Sequence, residues 1–421
     1  MNKLFYLCAF QLLTLSYSHA QPAGQLTLND CYTLAKQNYP LIRQRELIAI
    51  AADYTVDNIR KGYLPQLNIN GQATYQSAVT QVPVKLSNAA IPDISKDQYK
   101  FYGEINQLVY DGGVLGQQKQ LAKGNAAVEQ QQLETSLYEL KERINQLYFG
   151  VLLIDEQIKQ NELLIKNVQL GLNKVQAAIK NGAAFKSNGD VIRADLLKTK
   201  QHTIELQASR KAYADMLSLF TGRGIDSQTV LAKPGAVIAS KQINRPELLV
   251  YDEQSKNLDV QNKMITAKAL PKLNAFFQGG MGRPALNMLS GGADAYYIGG
   301  IRFTWSPSAF YTIKKERALI NISRRNLGVQ KETFLFNTNL TVKQQDAEIG
   351  KYQQLLASDN EIIELRDKVK TTAMAQLENG VINGNDFLSE VNAEDQARQN
   401  KILHEIQLLM AQHNQKTTTG N

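Results

Sequence analysis

Residues 133–179 read LETSLYELKERINQLYFGVLLIDEQIKQNELLIKNVQLGLNKVQAAI. Apolar side chains recur at Leu133, Leu137, Leu140, Ile144, Leu147, Val151, Ile154 and Ile158. After a polar interruption at Asn161 they resume at Ile165, Val168, Leu172, Val175 and Ile179. The steps alternate four and three, the heptad pattern of a helix that packs along a continuous seam. No proline occurs from Val114 to Gly222. At ~1.5 Å per residue, a helix from Val114 to Ile179 makes a rod of about 100 Å. Such a rod needs partners alongside it, and the rest of the chain must supply them.

Downstream, the rod turns near Asn181-Gly182, and Asp190 is the expected N-cap of a returning helix. That helix carries Val191, Ala194, Leu197, Ile204, Met216, Leu217 and Phe220 and ends at Thr221-Gly222. Upstream, Leu28 to Gln37 and Leu41 to Gly62 read as helices separated by Asn38-Tyr39-Pro40, since a residue before proline avoids helical geometry. The period then changes to two. Leu67, Ile69, Gly71, Ala73 and Tyr75 fall on one face and Asn68, Asn70, Gln72, Thr74 and Gln76 on the other, the pattern of a strand. Val82 to Asp97 reads as a loop. A second strand places Tyr99, Phe101, Gly103, Ile105 and Val109 opposite Lys100, Glu104 and Asn106, and Asp111-Gly112-Gly113 ends it.

The same order then returns. Asn244-Arg245-Pro246 opens a helix to about Lys268, and Leu270-Pro271-Lys272-Leu273-Asn274 echoes Leu64-Pro65-Gln66-Leu67-Asn68. A third strand aligns Leu273, Ala275, Phe277, Gly279 and Met281. A Gly- and Asn-rich loop spans Arg283 to Asp294. A fourth strand aligns Tyr297, Gly299, Ile301, Phe303 and Trp305 against Arg302, Thr304 and Ser306. From Ser308 onward the chain lacks proline and reads as a second long helical hairpin turning at Asn379-Gly380. The unit of helix, strand hairpin and long helical hairpin is thus used twice. The expected divisions are a signal segment at 1–20, a first repeat at 21–222, a linker at 223–243 and a second repeat at 244–421.

Composition narrows the function. The net charge is +8 over 421 residues, and long solvated helix faces account for it. No basic run with interleaved aromatics points to nucleic acid. Lys3, the apolar run Leu4 to Leu15 and Ser18-His19-Ala20 read as a secretory signal. Cys8 lies within that run, which leaves Cys31 as the one mature cysteine and excludes an internal disulfide. No later stretch is apolar for long enough to be a spanning helix. The mature histidines, His202, His404 and His413, lie in helical segments. No HExxH, CxxC, GxSxG or P-loop pattern occurs, so neither catalysis, a cofactor nor a metal is expected.

The strands alternate apolar and polar residues over about ten positions with aromatics near their ends, which fits a transmembrane barrel. Four strands cannot close one, and a bilayer tolerates no open edge. Copies of the chain must then share a barrel, and three copies of four strands give 12. The polar alternation turns Asn70, Glu104 and Arg302 toward the lumen, where Glu104 and Arg302 are placed to pair across strands. Trp305, Tyr297 and Phe101 fit an interfacial aromatic girdle.

At this point the sequence resembles the TolC-like outer-membrane efflux proteins. Gly62-Tyr63-Leu64-Pro65, Tyr110-Asp111-Gly112-Gly113, Leu219-Phe220-Thr221-Gly222 and Asn379-Gly380 followed by Asp386 and Leu388 carry the resemblance. It covers essentially the mature chain. It implies a mainly α fold with a small β part: long helical hairpins forming a periplasmic α-barrel, and four strands per chain in a trimeric 12-stranded barrel within outer-membrane lipid. It implies a passive exit channel for drugs, other small molecules or proteins, working with a periplasmic adaptor and an inner-membrane pump. The hairpin tips Gly182, Ala183, Phe185, Gly380, Val381 and Gly384 would meet the adaptor. Asp190 and Asp386 would form acidic rings at a periplasmic gate, or serve simply as helix caps. Ile382 stands where a basic latch residue is expected, Leu377 where a tyrosine is, and Ser389 where a second acid is. An apolar closure through Val381, Ile382 and Leu377 is the alternative to a polar latch. The first turn reads about two residues longer than the second. The competing reading of the whole chain is a periplasmic coiled-coil spacer without a pore.

Overall fold

The computed structural model describes residues 25–80, 95–288 and 290–421. The signal segment and most of the Val82–Asp97 loop lie outside them. In chain order the elements are α1 (Leu28–Asn38), α2 (Gln44–Arg60), β1 (Gln66–Tyr75), β2 (Asp97–Tyr110), α3 (Val114–Tyr138), α4 (Leu140–Lys180), α5 (Lys186–Thr221), α6 (Pro246–Lys268), β3 (Lys272–Arg283), β4 (Asp294–Thr304), α7 (Phe310–Glu378) and α8 (Gly384–Thr419). The repeat of the sequence is present as an order of elements, although α1 has no counterpart before α6.

Residues group into two compact units that do not follow the repeats. One comprises the described residues of Met1–Tyr39 with Leu140–Ile238 and Ala347–Asn414; the other comprises Pro40–Glu139, Ala239–Asp346 and Gln415–Asn421. Each takes segments from both repeats, because a heptad seam is satisfied by whichever helix lies beside it and not by its neighbour in sequence.

The long rod is interrupted at one residue. α3 stops at Tyr138 and α4 starts at Leu140, while Glu139 keeps helical angles (φ −60, ψ −21). Nothing in the sequence there breaks a helix. Tertiary contacts hold the junction: Tyr138 donates its hydroxyl to Thr417 O at 2.9 Å, and the Arg245 guanidinium lies 5.0 Å over its ring.

In the first unit, the α4–α5 and α7–α8 arms share one apolar core. Leu164, Val168, Leu172 and Val175 meet Ile192, Leu196, Ala373, Phe387, Leu388 and Val391. The polar interruption at Asn161 is a tie within this unit. Buried to 1% exposure, it donates its amide to Thr199 O at 3.0 Å and Thr203 Oγ1 at 2.8 Å. The expected linker is also structural. Leu26 pairs in parallel with Leu231, and the buried Tyr148 donates to Leu26 O at 2.8 Å and Ala232 O at 2.6 Å. Leu231 and Ala232 therefore cap the core of this unit beside α1, whose start is fixed by a capping box between Thr27 and Asp30. Cys31 lies fully buried there, and desolvation pushes its thiol up to about 12, so it is an inert apolar side chain.

In the second unit, the strands form one antiparallel sheet in the order β1-β2-β3-β4. The register breaks between Leu108 and Tyr110, a bulge at Val109 where the chain turns into α3. Gly112 (φ +74) needs glycine for its left-handed backbone and its close approach, since an added Cβ would lie 2.5 Å from Ala267 O.

Candidate functional site: sheet faces and hairpin tips

The register aligns the apolar residues of all four strands on one face. Ile69 sits opposite Gly103, Phe101 opposite Met281, Gly279 opposite Tyr297 and Ala275 opposite Ile301. This face has no partner among the described residues: Ile69 is 70% exposed, Phe101 65% and Ile301 76%. The opposite face carries Asn70 beside Tyr102, Glu104 beside Gln278 and Asn274 beside Arg302. Arg302 Nη1 lies 3.4 Å from Glu104 Oε1, and its guanidinium carbon lies 4.6 Å over the Phe276 ring.

That polar face holds three aromatics that the sequence reading passed over: Tyr102, Phe276 and Tyr296. Tyr102 and Tyr296 flank Gly280 in register. A Cβ added to Gly280 would lie 2.5 Å from Tyr102 Cβ, so the glycine is what admits the side chain. The signal was available, because the period of two assigns Tyr102 to the face of Lys100 and Glu104.

The two hairpin tips are built alike. At the first, Gly182 N donates to Ile179 O (3.0 Å) and Ala183 N to Ala178 O (2.8 Å). At the second, Gly380 N donates to Leu377 O (3.2 Å) and Val381 N to Gln376 O (2.9 Å). Both are Schellman closures with glycine at positive φ. Each turn has five residues between its helices, 181–185 and 379–383, so the first turn is not the longer one. The extra residues before Asp190 are helical.

This corrects the capping assignment. α5 begins at Lys186, its N-cap is Phe185 and no side chain caps it. Asp190 lies in the second turn, exposed, and cannot cap. α8 is capped by Asn383, whose Oδ1 accepts from Asn385 N at 2.8 Å and Asp386 N at 3.0 Å. Asp386 Oδ2 accepts in return from Asn383 N at 3.3 Å. Asp386 is thus the third helical residue of a capping box, and the two aspartates are not at matching positions.

Two further expectations change. Leu377 is buried in the shared core, with Ile382 packed against that core, so Leu377 holds the hairpin and has no surface for a closure. Gly384 is also buried. An added Cβ there would lie 3.0 Å from Asn188 O and 3.3 Å from Ile192, so it seats α8 against α5 instead of offering a contact surface. Gly182, Ala183, Phe185, Gly380 and Val381 remain exposed, Phe185 to 81% and Val381 to 69%. Asp386, Glu390 and Lys368 line a cleft of about 400 Å³ along α7 and α8.

Behind the second tip lies a charge cluster absent from the sequence reading. Glu394, 2% exposed, sits 3.3 Å from Lys370 Nζ and pairs closely with Arg398; Lys370 and Arg398 also reach Asp367 at 2.8 and 3.5 Å. Next to it, Asp395 accepts from Gln160 Nε2 at 2.8 Å. Burial holds its carboxyl above the usual range. The Gln160 hydrogen bond opposes that rise and the Glu394 charge adds to it. Among the described residues no His, Cys, Asp and Glu gather as metal ligands, and no helix is long and apolar enough to cross a membrane.

The outer membrane efflux protein family matches residues 31–223. No curated protein matches the chain significantly. Among solved structures, the chain is similar to CusC, with a TM-score of 0.68 at 13% identity over 94% of this chain and 92% of that one. It is similar to the Neisseria gonorrhoeae MtrE outer membrane channel in its open state (0.65, 14%, 94% and 89%). It is also similar to the Campylobacter jejuni CmeC outer membrane channel (0.62, 12%, 93% and 85%). At such identities the likeness establishes the fold alone: long helical hairpins and a four-stranded antiparallel sheet.

Proposed function

We propose, from the match of residues 31–223 to the outer membrane efflux protein family, that the chain is a member of that family and that three copies form the exit duct of a tripartite exporter. The observation that carries this reading is the sheet. Its apolar face is exposed across four strands, while among the described residues β1 and β4 each have a neighbour on one side only. In lipid an unpaired strand edge leaves backbone groups without hydrogen bonds, which costs several kcal/mol per group. Joining β4 of one copy to β1 of the next satisfies both edges, and three copies close a barrel wide enough to conduct. The apolar face then meets lipid, and Asn70, Glu104 and Arg302 line the lumen.

The hairpin tips form the periplasmic entrance. Phe185, Val381 and the Schellman glycines are free to dock an adaptor, and an inner-membrane pump supplies the energy. Asp190 and Asp386 are both exposed near the tips, and three copies of each concentrate negative charge where cargo enters, favouring cations. The cargo of such a duct is drugs, other small molecules or proteins.

The test is planar-bilayer conductance of protein extracted from outer membranes in detergent, alongside Asp190→Asn and Asp386→Asn. Trimeric, cation-selective channels whose selectivity falls in the variants support the duct and its acidic entrance. Unchanged selectivity removes the entrance role from the aspartates. Protein that never inserts into a bilayer overturns the duct and favours a periplasmic spacer.

A further inference from the structure

The junction between strands and helices gathers cations and aromatics in a way the duct itself does not require. Three chain segments are tied together there. Trp305, directly after β4, donates its indole N–H to Ala269 O at 3.1 Å, just past the end of α6. Arg317 in the start of α7 donates to Thr266 Oγ1 in the last turn of α6 at 2.9 Å. Gln107 of β2 donates to Tyr63 O at 2.8 Å, just past the end of α2.

These ties place Lys268, Lys314 and Lys315 on adjoining segments, with Arg60 and Lys61 at the end of α2. All five are exposed. Arg60 is paired with Asp57 at 3.1 Å, and Lys61 reaches only the neutral Asn58 Oδ1 at 3.4 Å. Among the described residues, no carboxylate pairs with Lys268, Lys314 or Lys315. The nearby acid Asp111 is 7% exposed and spent on the backbone N–H groups of Gly113 and Leu115 at 2.8 and 2.6 Å. Glu316 is the one other acid close in sequence. Around the cations stand exposed aromatics: Tyr63, Trp305, Phe310 and Tyr311, the last 84% exposed.

Amphipathic aromatics mark the level of lipid headgroups, and lysines one turn beyond them sit at the depth of phosphates. We infer that this junction is a binding collar for anionic phospholipid headgroups, with Lys268, Lys314 and Lys315 as its phosphate contacts. The inference rests on the outer-membrane reading above. The lysines are flexible point charges and not bidentate forks, so the collar selects negative charge at a membrane surface and not one headgroup structure.

Trp305 is the chain's single tryptophan, which makes it a reporter inside the proposed collar. The experiment reconstitutes the full protein in phosphatidylcholine vesicles containing a fixed fraction of brominated phosphatidylglycerol or brominated phosphatidylcholine, and reads quenching of Trp305. The expected result is an association with the anionic lipid about fivefold stronger than with the neutral one, the size of one lysine beside an anionic surface. It should fall toward equality in a Lys268→Gln, Lys314→Gln, Lys315→Gln variant that retains wild-type helicity and oligomeric state, and in the wild type at high salt. If the triple variant does not fold, the salt series on the wild type makes the same comparison. Equal quenching by the two lipids at low salt overturns the collar alone. Quenching by neither overturns the collar and the membrane-embedded sheet together.

Discussion

Phe387 lies directly over Gly171: a Cβ added to that glycine would come within 2.4 Å of the Phe387 ring. Phe387, on α8, is fully buried, and Gly171, on α4, is buried in the helix it faces. The contact joins the two hairpins, because a bare helix backbone lets an aromatic ring approach where a methyl would block it. Phe387→Ala should cost about 3–5 kcal/mol, and Gly171→Leu should also destabilise, by overpacking. Thermal unfolding of the detergent-solubilised protein measures both. A Gly171→Leu variant as stable as the wild type would show that the ring has room to move aside.

The tips separate two aspartates that look alike in sequence. Asp386 closes a capping box with Asn383, so Asp386→Ala should lower the stability of the start of α8 by about 1 kcal/mol. Asp190 makes no cap, and Asp190→Ala should stay within about 0.5 kcal/mol of wild type. Amide exchange at the two helix starts reports each locally. Equal fraying in the two variants would contradict the asymmetry.

Asp395 gives stability a definite dependence on pH. Burial raises its folded-state pKa, so between the ordinary carboxylate value and the raised one the native state binds more protons than the unfolded chain. Stability from this group is therefore highest below the ordinary value and falls as pH rises through the raised one. Asp395→Asn keeps a partner for Gln160 and removes the titration. The melting temperatures of wild type and variant should approach each other in acid and diverge, with the variant higher, toward neutral pH. A constant difference across pH would assign the shift to another group.

The Glu104–Arg302 pair should contribute little by itself. Arg302 is 51% exposed, and solvent screens such pairs to about 0.2–1 kcal/mol. A double-mutant cycle with Glu104→Gln and Arg302→Gln should return a coupling in that range. Phe276→Leu should weaken the arginine's placement separately, by removing the ring beneath it. A coupling of several kcal/mol would mean that the pair is far drier in the assembled protein.

Elements whose pattern is set along the chain were legible beforehand. The period of two predicted the four strands and the residues of each apolar face, because successive side chains in a strand must point to opposite sides whatever surrounds them. The heptads of 133–179 predicted the hairpin, and Asn181-Gly182 and Asn379-Gly380 predicted its turns, because a left-handed closing residue favours glycine at any helix end. The family resemblance was legible for the same reason, since its motifs are turn and junction residues.

What stayed hidden depended on which residues meet from far apart. Asp190 and Asp386 stand in similar local sequence, yet Asn383 makes one a capping partner and the helical start at Lys186 leaves the other uncapped. Leu377 and Gly384 look like tip residues but are buried, because the second hairpin packs on the first. The interruption at Glu139 has no breaker in the sequence; contacts from Arg245 and Thr417 fix Tyr138 beside it. By itself, then, the sequence determined the periodicities, turns and element order of this protein, which arise from covalent geometry and local hydrogen bonding. Only the tertiary structure decided which faces pair, which polar groups are buried, and which tip residues remain available, because desolvation and packing are properties of the neighbours that folding brings together.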